Sequence, residues 1–325
     1  MIMNQAAPVP KIDIVIVNWN SGAQLLECLA SLINADLAGV ELGNVVVVDN
    51  ASTDDSLQGI EDPRLPLRIV RNRDNRGFAA ACNQGAREGD GEFLLFLNPD
   101  TILFQNSLVT PLKFMDRPDN ADIGIIGIQL VDDNGRISRS CARFPTPGTF
   151  WVKMLGLDRL FPSIFPGHFM TEWDHGDSRT VDQVMGAFFL VRRSLFNTLG
   201  GLDERFFVYF EEVDFSLSTR KAGWRSYYLA EARAYHKGGG TSDQAKAARL
   251  YYELRSRILY CFKHYNVMTA TAVMMGTLLI EPVARLLLGL ARLSATDVIE
   301  TGRGFVLLWG DVPKLLHSII MCRNV

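Results

Sequence analysis

The sequence lacks the features of a disulfide-rich secreted protein and of a nucleic-acid-binding protein. Its five cysteines are odd in number, scattered and never spaced as CxxC. This argues against a disulfide framework or a structural zinc site and favours a reducing compartment. The formal net charge is −3, so no basic excess indicates a nucleic-acid partner. Residues 1–10 have no basic segment followed by an apolar one, and we expect no signal peptide.

Apolar runs long enough to cross a membrane are also lacking. The uncharged segment 267–280 is shorter than the ~20 residues that a spanning helix needs, and Glu281 and Pro282 are expected to end it. Leu-rich sequence follows, with Glu281, Arg285 and Arg292 spaced to share one helical face. Residues 265–325 are therefore predicted to be a helical segment that either lies on a membrane surface or packs against the rest of the chain.

Apolar material for a core is present in quantity. Hydrophobic residues make up 48% and charged residues 21% of the 325 positions, so a sizeable core is expected and global disorder is not. The length suits one large domain or a domain with an extension.

The first hundred residues alternate between apolar runs and helical segments. The runs predicted as strands are 12–17, 45–48, 68–70 and 93–97. Helices are predicted after Ser21, which can cap the first of them, after the polar loop 49–54, and from Gly77 to Gly85. This β-α-β-α-β-α-β order predicts an α/β fold with a mainly parallel sheet flanked by helices. Ligands of such sheets bind at the carboxyl ends of the strands, where Asp49 and Asp100 are placed.

Beyond residue 120 the pattern changes. A strand at 123–131 with a short return strand at 136–138 is predicted first, and a further strand at 184–191. Between them, residues 144–180 are rich in Pro, Gly and aromatics without a clear period, which is typical of a functional loop. Two helices are predicted to follow, from Glu211 to Ala222 and from Gln244 to His264.

Polar residues at the ends of these elements are candidates for chemistry. Asn98-Pro99-Asp100 follows a buried strand, although all three residue types also favour turns. The pair Glu211-Glu212 opens a helix, where acids are electrostatically favoured in any protein. His236 precedes a glycine-rich stretch, and histidine is a common ligand as well as a structural residue. Each signal is weak when it is taken alone.

Taken together, the motifs resemble those of the family 2 glycosyltransferases, which have the glycosyltransferase A fold. The resemblance covers roughly residues 11–264, in the family's order and on the expected elements. Within the family, the chain looks most like the rhamnosyltransferase-type members that build bacterial surface polysaccharides. The matching segments are 17–20 (VNWN), 48–54 (VDNASTD), 75–78 (NRGF), 98–100 (NPD) and 200–207 (GGLDERFF), with Glu211-Glu212 and His236.

The resemblance implies a division of the chain. Residues 11–264 would form the catalytic domain, after a flexible N-terminus at residues 1–10. Its nucleotide-binding half would be residues 11–118 and its acceptor-binding half residues 119–264. Residues 265–325 would be the C-terminal helical extension.

The resemblance also implies a donor site. Asp49 would accept the pyrimidine N3 proton, with Trp19 against the ring and Arg76 beside it. Asn98 would bond the donor sugar or ribose. The residues assigned to the nucleotide-sugar donor are Val17, Trp19, Asp49, Arg76, Asn98 and Asp100.

A divalent cation, Mg²⁺ or Mn²⁺, is implied as well, with Asp100 and His236 as its ligands. Carboxylate oxygens suit both ions. A cation stabilises the negative charge that grows on a nucleoside diphosphate leaving group. The family's motif is DXD, and this chain departs from it with Asn98 at the first position, so Asp100 is the motif's sole carboxylate.

The acceptor hydroxyl must lose its proton as it attacks the anomeric carbon, and a nearby carboxylate can take that proton. The resemblance places this base at Glu212, the second acid of the pair, and Glu211 is the other candidate. Asp214 is expected to hold the helix to a neighbouring arginine.

We therefore expect an inverting glycosyltransferase. In the family's terms it would move L-rhamnose from dTDP-rhamnose to a saccharide or polyprenyl-linked saccharide in cell-surface polysaccharide synthesis. Inversion is expected because one base, and no evident nucleophile, is present. A UDP-linked donor sugar, nucleotidyl transfer and a non-catalytic sugar-nucleotide-binding module are the alternatives, although residues 17–22 lack the Lys or Arg usual in a nucleotidyl-transfer phosphate loop. We expect a cytoplasmic location, with peripheral contact at the inner face of the cell membrane.

Overall fold

The computed structural model describes residues 9–165, 167–238 and 246–321. Most of the N-terminus expected to be flexible, residues 1–8, lies outside the described residues. So do residues 239–245, which hold most of the glycine-rich stretch after His236 and the first two residues of the helix predicted from Gln244.

The described chain forms eleven strands and eleven α-helices. The strands are β1 (Lys11–Asn18), β2 (Glu41–Asp49), β3 (Leu67–Arg71), β4 (Phe93–Leu97), β5 (Thr101–Leu103), β6 (Ile123–Val131), β7 (Cys141–Ala142), β8 (Arg179–Val181), β9 (Gln183–Val184), β10 (Phe188–Arg192) and β11 (Arg225–His236). The helices are α1 (Gln24–Ile33), α2 (Phe78–Ala86), α3 (Val109–Met115), α4 (Pro147–Met154), α5 (Leu157–Leu160), α6 (Arg193–Thr198), α7 (Glu211–Lys221), α8 (Lys246–His264), α9 (Val267–Met275), α10 (Glu281–Ala291) and α11 (Ala295–Met321).

A nine-stranded sheet organises the fold, in the order β3-β2-β1-β4-β10-β6-β11-β5, with β8 also paired to β11. Strands β1, β2, β3, β4, β6 and β11 run in one direction, and β5, β8 and β10 run in the other. The predicted α/β fold with a mainly parallel sheet, flanking helices and a C-terminal helical region is confirmed.

Two details of the prediction are wrong near the start of the sheet. No helix forms between β2 and β3, because the hydroxyls of Ser52 and Ser56 in that polar loop accept hydrogen bonds from Asn18, at the end of β1. Ser21 does not cap α1: the helix begins at Gln24, and the Ser21 hydroxyl donates to the side chain of Asn18. Ser, Asn and Asp side chains favour caps and turns alike, so the sequence did not decide between them.

The strand predicted over 184–191 is also interrupted. Val184 ends β9, which pairs with β7, and Phe188 begins β10, which joins the large sheet. The residues between them carry the chain from one sheet to the other, and the carbonyl of Ala187 accepts the Asn98 N–H at 3.0 Å.

The sheet has hydrophobic clusters on both faces, and a third cluster lies around α8. Ile14 and Ile16 of β1 pack with α1 on one face, while Val15 and Val17 pack with the small residues of α2 on the other. The third cluster joins residues from both sides of the predicted domain boundary: Phe206, Leu217, Leu254, Phe305 and Leu315. The C-terminal helices therefore share a core with residues that precede position 265.

The expectation that Glu281 and Pro282 end the apolar helix is wrong. The helix is continuous over Val267–Ala291, 25 residues, with a π-helical turn at Gly276–Ile280. Within the described ranges, it is the one helix long and apolar enough to cross a membrane, a test that a core helix also passes. Glu281 continues the helix because its carboxylate is buried against Arg257 of α8, a partner that local sequence does not reveal.

Candidate active site

The ends of β1 and β2 are locked together by Asn18. Its amide donates to Asp49 Oδ1 at 2.9 Å and to the hydroxyls of Ser52 and Ser56 at 3.1 and 2.8 Å. Asn18 and Asp49 are buried neighbours across the two strands, and so are Val17 and Val48 before them. The Asp49 carboxylate is therefore fixed at the sheet edge. Helix capping, the alternative for Asp49, does not occur because no helix follows it.

A second asparagine, Asn50, builds the neighbouring loop. Its Nδ2 donates to Asn75 Oδ1 at 2.8 Å, and its Oδ1 accepts the Arg76 N–H at 3.1 Å. The Arg76 side chain and that of Trp19, which is 40% exposed, face solvent at this edge. They are therefore available to a ligand rather than used in the core. The bridging roles of Asn18 and Asn50 were not predicted, because they depend on loops that are distant in sequence.

Gly77 brings the two halves of the domain into contact. It has φ +87°, and a Cβ there would come within 2.5 Å of the Phe207 carbonyl oxygen. That oxygen accepts the Phe78 N–H at 2.6 Å, and the Phe207 ring stacks on Tyr252 of α8 at 4.5 Å. The segment that leads to the acidic pair is thus held against the start of α2 and against α8.

Asp100 and His236 come together at the end of the sheet. β5 and β11 pair antiparallel with Thr101 opposite His236, and His236 Nε2 lies 3.3 Å from Asp100 Oδ1. Asn98 is fixed through its backbone, since its N–H donates to Ala187 and its carbonyl accepts the Thr101 N–H at 3.1 Å. The expected proximity of Asp100 and His236 is thus present.

The donor set at this point fits a divalent cation only as a partial shell. In the described ranges, no three His, Cys, Asp or Glu side chains are grouped closely enough to hold a metal ion. Mn²⁺ binds both carboxylate oxygens and imidazole nitrogens. Two protein ligands leave coordination positions for diphosphate oxygens, as is usual for ions that act on nucleotides.

The acidic pair follows a strained turn. Tyr209 and Phe210 have φ +66° and +71°, which is costly for bulky residues, and α7 begins immediately after them at Glu211. Of the four other non-glycine residues with positive φ in the described ranges, Asn20 and Ala51 lie in the loops after β1 and β2, and His175 and Leu293 lie elsewhere. Non-glycine strain therefore concentrates around the candidate site.

The two acids differ in environment. Glu211 is buried and Glu212 is partly exposed, and Oε2 of each has no hydrogen-bond partner among the described residues. Burial, reinforced by the neighbouring Glu212 charge, raises the pKa of Glu211 well above its ordinary value. Burial also raises the pKa of Glu212. Glu212 is the less buried residue of the two, which favours it over Glu211 for proton abstraction.

Asp214 holds α7 to α8, as expected, but its partners are not arginines. Lys263 Nζ donates to Asp214 Oδ2 at 2.8 Å, and His264 Nε2 lies 2.7 Å from Oδ1. Lys263 Nζ also donates to Asp203 Oδ2 at 2.8 Å, in the loop that precedes the pair. The nearest cations thus come from the end of α8, which no local pattern in α7 indicates.

Arg255 of α8 is engaged within the protein. Its Nε donates to Asp311 Oδ2 of α11 at 2.9 Å and its Nη1 to the Arg205 carbonyl at 2.8 Å. Ser256 Oγ donates to the Val208 carbonyl at 2.9 Å. One face of α8 therefore holds the segment that leads to the acidic pair.

Known proteins resemble this chain in sequence. The model of the family Glycosyl transferase family 2 matches residues 13–200. The N-acetylglucosaminyl-diphospho-decaprenol L-rhamnosyltransferase of Mycobacterium tuberculosis is 27% identical over 274 residues, 77% of this chain and 83% of the relative. The rhamnosyltransferase WbbL of Escherichia coli K12 is 31% identical over 190 residues, 57% of this chain and 68% of the relative.

Solved structures share the fold. The mannosyltransferase PcManGT from Pyrobaculum calidifontis, in complex with GDP-Man and Mn²⁺, aligns with a TM-score of 0.55 at 16% identity over 94% of this chain and 87% of that one. Residues 1–349 of Staphylococcus aureus TarS, in complex with UDP-GlcNAc, align with a TM-score of 0.51 at 15% identity over 92% and 90%. With the family model matching more than half of its residues, this chain belongs to glycosyl transferase family 2 and is a glycosyltransferase.

Proposed function

We propose that this glycosyltransferase moves L-rhamnose from dTDP-rhamnose onto a lipid-linked saccharide, with inversion at the anomeric carbon. The reaction would serve cell-surface polysaccharide synthesis at the cytoplasmic face of the membrane. The observation that carries the proposal is the placement of Asp49, the Asp100–His236 pair and the Glu211-Glu212 pair on the loops of one catalytic fold. The names of the two relatives supply the sugar and the class of acceptor.

The donor nucleotide would bind at the ends of β1 and β2. Asp49, held by Asn18, accepts the pyrimidine N3–H, and the exposed Trp19 ring lies against the base. Arg76 contacts the diphosphate or ribose from the adjacent loop, whose backbone is fixed by Asn50. Val17 contributes backbone at the end of β1, where its side chain is buried. These contacts select a pyrimidine without distinguishing thymine from uracil.

A divalent cation would be held by Asp100 and His236 together with the diphosphate. When bound, it would stabilise the negative charge that develops on the leaving group. Asn98, whose backbone is fixed against Ala187, presents an uncharged amide next to this charge and can hydrogen-bond the donor sugar or ribose.

The acceptor hydroxyl is activated by Glu212. The oxygen of the acceptor hydroxyl attacks the anomeric carbon, and the bond from that carbon to the diphosphate oxygen breaks. Glu212 takes the proton of the hydroxyl. Because burial and the neighbouring charge favour the protonated form of Glu211, that residue donates a hydrogen bond rather than acting as the base. A single displacement of this kind inverts the configuration.

The test is a donor screen with the full chain. Thermal shift and donor hydrolysis are measured with dTDP-rhamnose, UDP-GlcNAc, UDP-galactose and UDP-galactofuranose, each with Mn²⁺ and with EDTA, because a bound donor stabilises the fold by mass action. Transfer is then assayed with a polyprenyl-diphosphate-linked saccharide, and the product linkage is assigned by NMR.

We expect the largest stabilisation, and cation-dependent turnover, with dTDP-rhamnose, and a product of inverted configuration. Preference for a UDP-sugar would overturn the donor, a retained configuration would overturn the single displacement, and transfer of a nucleotidyl group would overturn the reaction class.

A further inference from the structure

Helix α10 buries its acidic side chain and exposes apolar ones, which is the opposite of what a helix in contact with water does. Its acidic residue, Glu281, is fully buried and lies 2.5 Å from Arg257 Nη1, while Val283, Leu287 and Leu290 are 55%, 61% and 60% exposed. A helix on the surface of a soluble protein turns its apolar side to the core and its charges to water. The arrangement suits an outer surface that is itself apolar.

Helix α11 carries a second exposed apolar stripe. Its buried side packs Phe305, Leu308 and Leu315 into the third cluster. The opposite side repeats at alternating steps of three and four residues, through Gly302 and Pro313, so that one line of side chains runs along the helix. The large exposed members of this line are Ile299, Val306, Trp309, Leu316 and Ile320, each between 37% and 64% exposed.

Trp309 ties the α11 stripe to the turn that precedes α10. Its indole N–H donates to the Leu278 carbonyl at 3.1 Å, beside the exposed residues that precede α10. α10 and α11 also approach closely at Gly289, where a Cβ would lie 2.9 Å from a Val298 methyl. We call the combined surface the apolar face, defined as Val283, Leu287, Leu290, Ile299, Val306, Trp309, Leu316 and Ile320. A large exposed apolar surface on two helices that pack together indicates an interaction site.

We infer that the apolar face docks this enzyme onto a lipid bilayer that contains anionic headgroups, lying on the surface without crossing it. Residues beside the α11 stripe are basic: Arg303, whose side chain is 69% exposed, Lys314 and His317. The acids of α11 lie away from the stripe, and Asp311 and Glu300 are bonded to Arg255 and Arg303. Cations beside an apolar stripe, with a tryptophan in it, match an anionic membrane interface.

Charge also argues against a second copy of the chain as the occupant. A helical seam that pairs with itself usually carries flanking charges of both signs, which form ion pairs across the interface. Here, two copies would bring Arg303 and Lys314 of one chain towards the same cations of the other. An anionic lipid surface, in contrast, attracts all of them.

The docked orientation is linked to the catalytic site. Asp311 of α11 holds Arg255, which holds the Arg205 carbonyl in the segment before Glu211. The purpose of the docking rests on the proposed function, since a lipid-linked acceptor presents its saccharide at the membrane surface. The surface itself is argued from the helices alone.

The test compares the full chain with the double variant Leu287→Glu/Val306→Glu in vesicle flotation. The vesicles are phosphatidylcholine alone and phosphatidylcholine with phosphatidylglycerol. Leu26→Glu is the matched control, because Leu26 is a 45% exposed leucine on α1, away from the apolar face. Circular dichroism and thermal midpoints check that each variant is folded, and light scattering gives its mass.

We expect the parent and Leu26→Glu to float with the anionic vesicles, and the double variant to partition at least tenfold less. Lys314→Gln should lower binding to the anionic vesicles only. A second measurement does not depend on whether the double variant folds. Bromine-labelled lipids should quench the tryptophan fluorescence of the parent, and Trp309→Phe should remove most of that quenching.

Equal flotation of parent and double variant, or equal quenching in Trp309→Phe, would overturn the inference. So would a parent dimer that the double variant converts to monomer without any change in vesicle binding. Hydrolysis of dTDP-rhamnose in the same preparations separates the two proposals. Hydrolysis without vesicle binding overturns the docking alone, and vesicle binding without hydrolysis of any nucleotide sugar overturns the proposed function alone.

Discussion

The His236 imidazole lies 3.3 Å from the Asp100 carboxylate, and each side chain is only 11% exposed. Pairing of β5 with β11 produces this contact, since Thr101 lies opposite His236 in the ladder. The two side chains that the proposed cation would share are therefore placed by the sheet and do not depend on a flexible loop. Their removal should act on metal-dependent steps without unfolding the protein.

Asp100→Ala should abolish transfer and the cation-dependent part of nucleotide binding. Asn98 and Pro99 offer no anionic ligand in its place. The measurement is donor hydrolysis and dTDP-induced thermal shift with Mn²⁺ and with EDTA. Asp119→Ala, at an exposed turn, is the matched control and should behave as the parent. Unchanged turnover in Asp100→Ala would remove the metal role from this residue.

Glu212→Gln should keep the fold and donor affinity but lower kcat by roughly two to four orders of magnitude, the usual scale of general-base catalysis. Gln keeps the shape of the side chain and removes its basicity. Glu211→Gln should cost less, because the environment of Glu211 already favours its protonated form. The values to compare are kcat at saturating donor and acceptor. A dead Glu211→Gln beside a nearly normal Glu212→Gln would reverse the two roles, and full activity in both would direct attention to Asp214.

Glu211→Gln should also change the pH dependence of stability. The folded-state pKa of Glu211 is raised above its unfolded value, so its contribution is present below the unfolded pKa and is lost as pH rises towards the folded one. Gln does not titrate. The variant should therefore be more stable than the parent at pH 8, and the difference should shrink towards pH 4. Thermal midpoints across this range test the sign, and a difference that grows at low pH would contradict it.

Much of the fold could be predicted because buried parallel strands leave a local signal. The runs at 45–48 and 93–97 are continuous apolar stretches, the run at 12–17 is apolar except for Asp13, and each lies in a strand with buried side chains. The same holds for α7, which begins at the predicted Glu211. These elements needed no knowledge of their neighbours.

The misses involve partners that are distant in sequence. The polar loop after Asp49 holds residues able to cap a helix, but their hydroxyls accept hydrogen bonds from the Asn18 amide instead. Neither Tyr209 nor Phe210 is a glycine, so nothing local indicates their positive φ. The candidate site residues were predicted from the order of the motifs rather than from the chemistry of any one residue.

Lys263→Met should lower kcat by about 10- to 100-fold, the cost expected for slight misplacement of a catalytic group. Lys263 joins Asp203, before the acidic pair, to Asp214, within the first turn of α7. The donor KM and the Mn²⁺ dependence should not change, and Lys263→Arg should restore part of the activity. Lys113→Met is the control, because Lys113 is an exposed lysine on α3, away from α7 and α8. A loss shared equally by KM and kcat would contradict a positioning role.

Arg257→Met should destabilise the protein strongly, because it leaves the Glu281 carboxylate, 1% exposed, without its buried partner. Removing one member of a buried pair typically costs about 3–5 kcal/mol. Because Arg285 Nε lies 2.9 Å from Glu281 Oε1 and still pairs with it, the loss of stability should be near the lower end of this range. The double variant Arg257→Met/Glu281→Leu should recover most of it, since apolar residues of similar volume often replace a buried pair without loss.

Urea unfolding of the parent, both single variants and the double variant gives the coupling free energy of this pair. The measured coupling should have the sign of mutual support, with the double variant less destabilised than the sum of the single variants. Additive losses would mean that Arg257 and Glu281 act independently and that the inward turn of α10 has another cause. The pair is buried, so replacing both residues leaves the exposed apolar face unchanged. The double variant should therefore bind anionic vesicles as the parent does, provided that circular dichroism shows its helices to be intact.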